Sequence, residues 1–354
     1  MPHFDRAVYI ERMERARAGL AAAERSCAII HPSADLEYLT GLDVHPSERL
    51  IALLLPERGE ARIVCPAFEE GRILEGGVIE KTLPWREQDD PFEILARDGE
   101  VHGSICLGAA MPFFFVDRIR RALPAADLAS ADPIIAPLRM VKGPEEVAAQ
   151  REALERTRER IFDAARTARD GVMEAEIARS LDGGIVLFSE NGALPHGVAG
   201  KRKLTAEDSI LIDAGERVRG YWSDITRTFI RAGNEKANEI HRIVADAQTA
   251  AFRKAGPGVQ AQEVDRAARA SIAQAGYERF FTHRTGHGIG LQGHEPPFLV
   301  EGNVSRLEPG MTMTIEPGIY LPGEFGVRIE DVFLITEDGC EPLSQRDLSP
   351  THRA

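Results

Sequence analysis

Residues 209–230 read SILIDAGERVRGYWSDITRTFI, two apolar runs joined by the polar segment ERVRG. Short apolar runs bounded by turn residues are typical of β-strands. A connection as short as ERVRG makes the two strands neighbours in an antiparallel pair. Similar strand patterns follow at 311–322 and 326–336, with helical patterns between the strand segments. This arrangement predicts an α+β domain in the C-terminal part of the chain.

The N-terminal third follows a different pattern, in which helices and strands alternate. Apolar runs typical of buried strands occur at 26–32, 49–57, 60–66 and 104–110. Helical patterns occur at 4–24 and 113–124. A chain of 354 residues is too long for one typical core. We therefore predict a separate α/β domain over residues 1–132.

The boundary between the two domains is predicted from proline and glycine. Residues 131–146 read ADPIIAPLRMVKGPEE, and such a concentration of prolines interrupts regular structure. We predict a linker at 133–143. Pro144 and the two acids after it then favour a helix start. The second domain is accordingly predicted at 144–354.

Composition and charge exclude several classes of protein. The formal net charge of -13 argues against nucleic-acid binding, which needs a basic surface. No apolar run reaches the length of a membrane-spanning helix. The N-terminus carries charges throughout, so we expect an amphipathic helix there and not a signal peptide. The four cysteines form no CxxC pair, which favours reduced thiols in a cytoplasmic protein.

Four acidic residues occupy strand patterns in which apolar residues are expected. Asp213 ends one apolar run and Asp224 lies inside the next. Glu316 ends a third run and Glu330 lies within a fourth. A charge in an apolar strand is costly unless it is paired or binds a metal ion. Any one such acid is more often a turn residue or a cap; Asp331, on the face opposite Glu330, is expected simply to pair or to be solvated.

Residues 283–297 read HRTGHGIGLQGHEPP, in which three histidines stand among glycines. Taken alone, the stretch is compatible with a metal site, an acid/base site or a histidine-rich turn. Together with the four acids, His287 completes a set with enough negative charge for two divalent cations. Shared carboxylates hold two such ions about 3.5–4 Å apart around a bridging hydroxide. Carboxylate-rich ligation favours Mn²⁺, with Co²⁺ and Zn²⁺ left open.

Five segments resemble, in order, the motif series of the pita-bread metallopeptidases (peptidase family M24): IDAGERVRGYWSDITRTF, HRTGHGIGL, HEPP, IEPGIY and GVRIED. The resemblance implies a pita-bread catalytic domain with five metal ligands, namely Asp213, Asp224, His287, Glu316 and Glu330. It further implies that Asp224 and Glu330 bridge both ions. Asp213 would complete one metal site, and His287 with Glu316 the other.

The resemblance also implies residues that act on a substrate. His196 would lie near the scissile nitrogen, His294 would contact the scissile carbonyl, and Glu316 would act as general base and then as general acid. The implied substrate-binding residues are His283, Arg328 and Tyr320. One departure is Gln292-Gly293, where the family often has Glu-Val before the last histidine. The spacing is kept, so we expect activity to survive.

Within this family, an N-terminal α/β domain favours Xaa-Pro dipeptidases (prolidases) and aminopeptidase P over methionine aminopeptidases. The compact length favours a dipeptidase, which would hydrolyse small peptides with proline at the second position. Aminopeptidase P, which releases the first residue from Xaa-Pro-Yaa peptides, is the alternative. A metal-free or non-catalytic relative is disfavoured because all five ligands are present. The resemblance also implies a homodimer.

Overall fold

The apolar runs of the N-terminal third form strands of one six-stranded mixed sheet. The computed structural model describes residues 3–231 and 234–350. The strands are β1 (Cys27–Ile30), β2 (Ala52–Pro56), β3 (Arg62–Pro66), β4 (Lys81–Trp85), β5 (Ser104–Leu107) and β6 (Asp127–Ser130). Their order is β4-β3-β2-β1-β5-β6, with β1 antiparallel to β2 and parallel to β5. Every residue of β1 and β2 is buried, so both faces of the sheet centre are covered.

Helices alternate with these strands, and the α/β prediction is confirmed. They are α1 (Arg6–Ala22), α2 (Ala34–Thr40), α3 (Glu70–Gly76), α4 (Pro91–Arg97), α5 (Phe113–Ala122) and α6 (Asp132–Met140). Helix α1 buries Tyr9, Met13, Ala16 and Leu20, whose spacing of three and four residues places them on one side of the helix. Among the described residues, no helix combines the length and apolar character needed to cross a bilayer.

The chain divides into two units after Arg139. The segment predicted as a linker, 133–143, is here mostly helical because α6 continues to Met140 with Pro137 inside it. The next helix begins at Pro144, where the Glu146 side chain accepts a hydrogen bond from the Gly143 amide and so satisfies one N-terminal donor. Residues 351–354 of the predicted second domain lie outside the described residues.

The C-terminal unit, Met140–Ala354, has the α+β composition that the sequence predicts. Its helices are α7 (Pro144–Thr167), α8 (Glu174–Ser180), α9 (Glu235–Lys254) and α10 (Ala261–Gln274). Its strands are β7 (Ile185–Phe188), β8 (Ser209–Ala214), β9 (Arg217–Val218), β10 (Tyr221–Trp222), β11 (Ile225–Ile230), β12 (Gly286–Gly288), β13 (Glu295–Leu299), β14 (Thr312–Ile315), β15 (Gly318–Leu321), β16 (Phe325–Arg328), β17 (Asp331–Ile335) and β18 (Cys340–Pro342).

The strand pairs of this unit are antiparallel throughout its described part. One sheet has the order β11-β8-β7 and a second has the order β13-β12-β14-β17-β18. An isolated bridge between Thr226 and Glu330 joins the first sheet to the start of β17. Helices α9 and α10 bury Ile240, Val264 and Ile272 in a core shared with Met313 and Phe333 of the second sheet.

The segment ERVRG is more than a turn. It contains strand β9 and the two-residue connection to β10, in which Arg219 has φ 48° and Gly220 has φ 87°. Positive φ at both central residues is the requirement of a type I′ hairpin turn. Asp224 consequently lies between β10 and β11 and not inside a strand, and Glu330 likewise lies between β16 and β17. The strand placements predicted for these two acids were wrong, because the paired strands stop where a carboxylate must leave the packed sheet.

Candidate metal centre

Five side chains that lie in or next to five separate strands converge on one cavity of about 590 Å³. Asp213 comes from β8, Asp224 precedes β11, His287 lies in β12, Glu316 follows β14 and Glu330 precedes β17. Their ligand atoms form overlapping groups in which all atoms lie within 4.8 Å of one another: His287, Glu316 and Glu330 form one group, and Asp213, Asp224 and Glu330 form another. A third group consists of Asp224, His287 and His294, so Glu330, Asp224 and His287 each belong to two groups.

The His287 ring presents a lone pair to these carboxylates. Its Nδ1 lies 3.0 Å from the carbonyl oxygen of Gly288, so Nδ1 carries the proton and Nε2 is an acceptor. Nε2 lies 3.3 Å from Glu316 Oε1 and 3.9 Å from Asp224 Oδ2. Burial lowers the pKa of His287 to about 3, which keeps the ring neutral. A neutral nitrogen facing carboxylate oxygens needs a cation between them, so these residues fit a divalent metal ion.

The carboxylates themselves repel one another. Burial and then the neighbouring Asp213 raise the pKa of Asp224 well above its usual range. Burial and then the Asp224 charge raise the pKa of Glu330 in the same way. Burial raises the pKa of Glu316 to about 7. Clustered buried acids of this kind are stabilised by bound cations, which is a second reason why the site fits metal ions.

Two glycines allow the strands to approach this closely. A Cβ atom on Gly286 would collide with the carbonyl oxygen of Thr314, and one on Gly288 would collide with that of Pro296. Both positions therefore require glycine. Gly286 thus lets the backbone beside His287 approach β14, the strand that precedes Glu316. At Gly293, by contrast, a Cβ would meet no atom within 4 Å, so the departure from the usual motif leaves open space.

Arg328 is engaged by protein groups on all sides. Its Nη2 donates to Asp213 Oδ2 at 2.6 Å, its Nη1 donates to the Tyr320 hydroxyl at 3.0 Å and to the Pro195 carbonyl at 3.2 Å, and its Nε donates to Thr226 Oγ1 at 3.1 Å. Only 3 % of the side chain is exposed. The structure thus places Arg328 against the ligand side of the cavity, where it neutralises Asp213.

The other two predicted substrate residues form a directional chain with Arg328. His283 Nδ1 lies 2.7 Å from the Arg284 carbonyl oxygen and therefore carries the proton. His283 Nε2 then accepts from the Tyr320 hydroxyl at 2.7 Å, while Arg328 donates to the same hydroxyl. Burial lowers the pKa of His283 to about 4 and raises that of Tyr320 to about 12, so both remain neutral near pH 7.

His294 and His196 lie at the accessible side of the cavity. Arg284 Nη2 lies 3.2 Å from His294 Nδ1. Because arginine only donates, Nδ1 is the acceptor and the proton of His294 lies on Nε2. The His294 ring packs against the His287 ring, with centroids 3.8 Å apart. His196 lies on a turn after the short 3₁₀ helix Ser189–Ala193.

Three residues that contact candidate site residues were not predicted from the sequence. Thr226 Oγ1 donates to Glu330 Oε2 at 2.7 Å. Thr314 Oγ1 accepts from the His287 amide at 3.1 Å and lies 3.4 Å from Glu316 Oε1. Arg284 fixes the His294 ring as described above. Both threonines stand two residues from a candidate ligand, so period-two alternation was a signal that could have found them.

Comparison with known proteins agrees with this fold. Residues 140–337 match the model of metallopeptidase family M24, and residues 12–141 match the creatinase/prolidase N-terminal domain. A probable dipeptidase, PepE of Mycobacterium tuberculosis, is 36% identical over 95% of this chain and 94% of its own. Among solved structures, dipeptidase PepE from Mycobacterium ulcerans has a TM-score of 0.90 at 34% identity, covering 98% of both chains. A prolidase from Thermococcus sibiricus has a TM-score of 0.90 at 30% identity, covering 96% of this chain and 97% of that one.

The fold and the family match define a metal-dependent peptidase, a class of hydrolase. The chain belongs to metallopeptidase family M24, as its motif series predicts, and its N-terminal unit is of the creatinase/prolidase type. Membership in a metallopeptidase family implies divalent metal binding, for which the carboxylate and imidazole groups described above supply donors.

Proposed function

We propose that this protein is a dinuclear-metal-dependent peptidase that hydrolyses Xaa-Pro dipeptides. The observation that carries the proposal is the convergence of four carboxylates and the Nε2 lone pair of His287 on one cavity. Relatives of similar length are named dipeptidase or prolidase, which supports a dipeptide substrate. Mn²⁺ is the proposed metal because oxygen donors outnumber nitrogen donors and thiolates are lacking in the set.

Glu330 and Asp224 would be shared by both ions, Asp213 would hold one ion, and His287 with Glu316 would hold the other. When bound, two divalent ions lower the pKa of water and polarise the scissile carbonyl. Arg328 holds the Asp213 carboxylate at the cavity through the 2.6 Å contact. Thr226 does the same for one oxygen of Glu330. These contacts restrict the ligands before a metal ion arrives.

Side chains at the cavity surface are proposed to transfer the protons. Glu316 is the proposed general base and then acid, since it lies among the ligands and next to the reacting atoms. The Thr314 hydroxyl lies near Oε1 of Glu316, which leaves the second oxygen for the proton. His294, whose proton lies on Nε2, would donate to the oxyanion that develops on the carbonyl. His196, at the same accessible side of the cavity, would orient the amide nitrogen.

Selectivity for proline follows from what an Xaa-Pro bond lacks. The bond is a tertiary amide with no N–H, so recognition must come from the shape of the pocket. Ile185 and Pro195 supply apolar wall to the cavity. His283 and Tyr320 hold each other and are proposed to bound the substrate on its proline side. A pocket that accepts both charged termini of the substrate at a fixed separation would then select a dipeptide.

A substrate panel tests this proposal directly. Metal-loaded protein would be assayed on Ala-Pro, Ala-Pro-Ala and Ala-Ala, with Mn²⁺, Co²⁺ and Zn²⁺ in turn. We expect hydrolysis of Ala-Pro and little of Ala-Ala. Preference for Ala-Pro-Ala supports instead the alternative of aminopeptidase P activity, which uses the same motif series. Equal cleavage of Ala-Ala would overturn proline selectivity, and no cleavage of any peptide would overturn the peptidase assignment.

We further propose a cytoplasmic location, supported by four cysteines that are all free thiols.

A further inference from the structure

One buried glutamine contacts the backbone before two of the candidate metal ligands. Gln248 of α9 is 0 % exposed, and its Nε2 lies 3.2 Å from the Ile315 carbonyl oxygen and 3.4 Å from that of Ile329. These residues immediately precede Glu316 and Glu330. A single amide nitrogen therefore spans the two backbone segments that deliver these carboxylates to the cavity.

The orientation of the Gln248 amide is fixed from its other end. Arg346 Nη2 donates to Gln248 Oε1 at 2.8 Å. Because a guanidinium has no acceptor, the atom that it contacts is the amide oxygen, and the two hydrogens on Nε2 face the opposite way. They serve the two carbonyls and Asp331 Oδ2, which lies 3.0 Å from Nε2.

Asp331 connects this glutamine to a third strand. The Asp331 side chain is fully buried and accepts from Arg227 Nη2 at Oδ1, 2.5 Å away. Arg227 Nη1 also donates to the Glu330 carbonyl oxygen at 2.6 Å. Arg227 lies in β11, three positions after Asp224 in the sequence. Gln248 thus contacts the segments before Glu316 and Glu330 directly, and through Asp331 and Arg227 it is linked indirectly to β11, which follows Asp224.

We propose that Gln248 is a positioning residue that sets the spacing of the Glu316 and Glu330 carboxylates and so controls metal affinity. This inference rests on the metal centre of the proposed function. Buried carbonyls that lose a donor are costly, so displacing either segment away from Gln248 is resisted. Groups that orient metal ligands from outside change metal affinity by about 10- to 100-fold when they are removed.

Calorimetric titration of the full-length apoprotein with Mn²⁺ tests the proposal. Gln248→Met preserves the length and volume of the side chain and removes both donors. We expect the affinity for at least one ion to fall by about 10- to 100-fold while circular dichroism stays that of the wild type. Affinities equal to those of the wild type would overturn the proposal. Gln248→Leu, which also removes both donors and introduces no charge, gives the same test if the methionine variant fails to fold.

Ile240→Ala is the matched control. Ile240 is on the same helix and equally buried, at 0 % exposed, and packs in the core without donating to a ligand segment. We expect its Mn²⁺ affinities to equal those of the wild type. An equal loss of affinity in this control would show that any loosening of α9 has the effect, and would also overturn the role of Gln248. Binding of fewer than one ion by the wild type would instead refute the metal centre itself.

Discussion

At the scale of single residues, the site depends on which nitrogen of each histidine keeps its proton. His287 and His283 donate from Nδ1 to the carbonyls of Gly288 and Arg284, whereas His294 accepts at Nδ1 from the Arg284 side chain. The sequence predicts all three histidines as site residues. It could not predict their tautomers, because each is set by a contact whose geometry depends on the folded loop.

The shared position of Glu330 makes it the most sensitive ligand candidate. Glu330→Gln keeps the size of the side chain but removes the charge. We expect hydrolysis of Ala-Pro to fall by at least about 100-fold, since even indirect partners of a metal ligand contribute 10- to 100-fold. Steady-state rates at saturating Mn²⁺ check this. Glu324→Gln, at an exposed ion pair with Lys236, should keep the wild-type rate; near-normal turnover of Glu330→Gln would contradict the assignment.

His294 is expected to act on the substrate and not on the metal. In His294→Ala, kcat should fall by about 10²–10³, the usual cost of losing one oxyanion donor, with metal content unchanged. The rate and the metal content of the same purified sample would be measured together. Since the His294 ring lies close enough to Asp224 and His287 to join a metal group, loss of an ion in this variant would reassign His294 as a ligand.

At the scale of elements, the strands were predictable and their ends were not. Apolar runs correctly marked β8, β11, β14 and β17, because the hydrophobicity of a run is a local property of the sequence. Asp224 and Glu330 were placed inside strands, whereas the ladders stop beside them. Where a ladder stops depends on the isolated bridge between Thr226 and Glu330, a contact between residues far apart in sequence.

Close approach of β12 to β14 gives a stability prediction. In Gly286→Ala the new methyl group meets the Thr314 carbonyl, and such overpacking costs about 1–3 kcal/mol. Gly293→Ala is the matched control in the same loop, since its methyl group enters open space, and should leave the unfolding free energy within about 0.5 kcal/mol of the wild type. Urea unfolding measures both, and equal midpoints for the two variants would disprove the close-approach argument.

Helix α9 carries a buried histidine that predicts acid sensitivity. Burial and then the Arg227 charge lower the pKa of His241 from 6.5 to about 4. Between about pH 6.5 and pH 4, His241 is therefore protonated in the unfolded chain and neutral in the folded chain. The free energy of unfolding consequently decreases as the pH falls through this range. At pH 5 this amounts to roughly 2 kcal/mol. His241→Gln should reduce the loss of unfolding free energy between pH 7 and pH 5 by that amount, whereas the exposed His102→Gln should not; an unchanged pH dependence in His241→Gln would refute this.

At the scale of the whole molecule, the order of motifs predicted the family, and the arrangement of strand and helix patterns predicted both fold classes. The order of motifs did so because each motif reports a local requirement, either a turn glycine or an acid at a strand end, and five such requirements in order are rarely met by chance. The domain boundary was harder to place. Residues 133–143 contain prolines typical of a linker, but Pro137 is accommodated within α6. The homodimer stays a prediction, for which the molecular mass in solution is the measurement.

The number of metal ions bound per chain is the most direct test of the dinuclear metal centre. The wild-type chain would be stripped with a chelator, incubated with Mn²⁺, freed of excess ion and analysed for metal per chain. We expect two ions per wild-type chain, because the candidate ligands form overlapping groups in which Glu330 and Asp224 are shared, and fewer in Glu330→Gln. Fewer than one ion per wild-type chain would contradict the dinuclear centre.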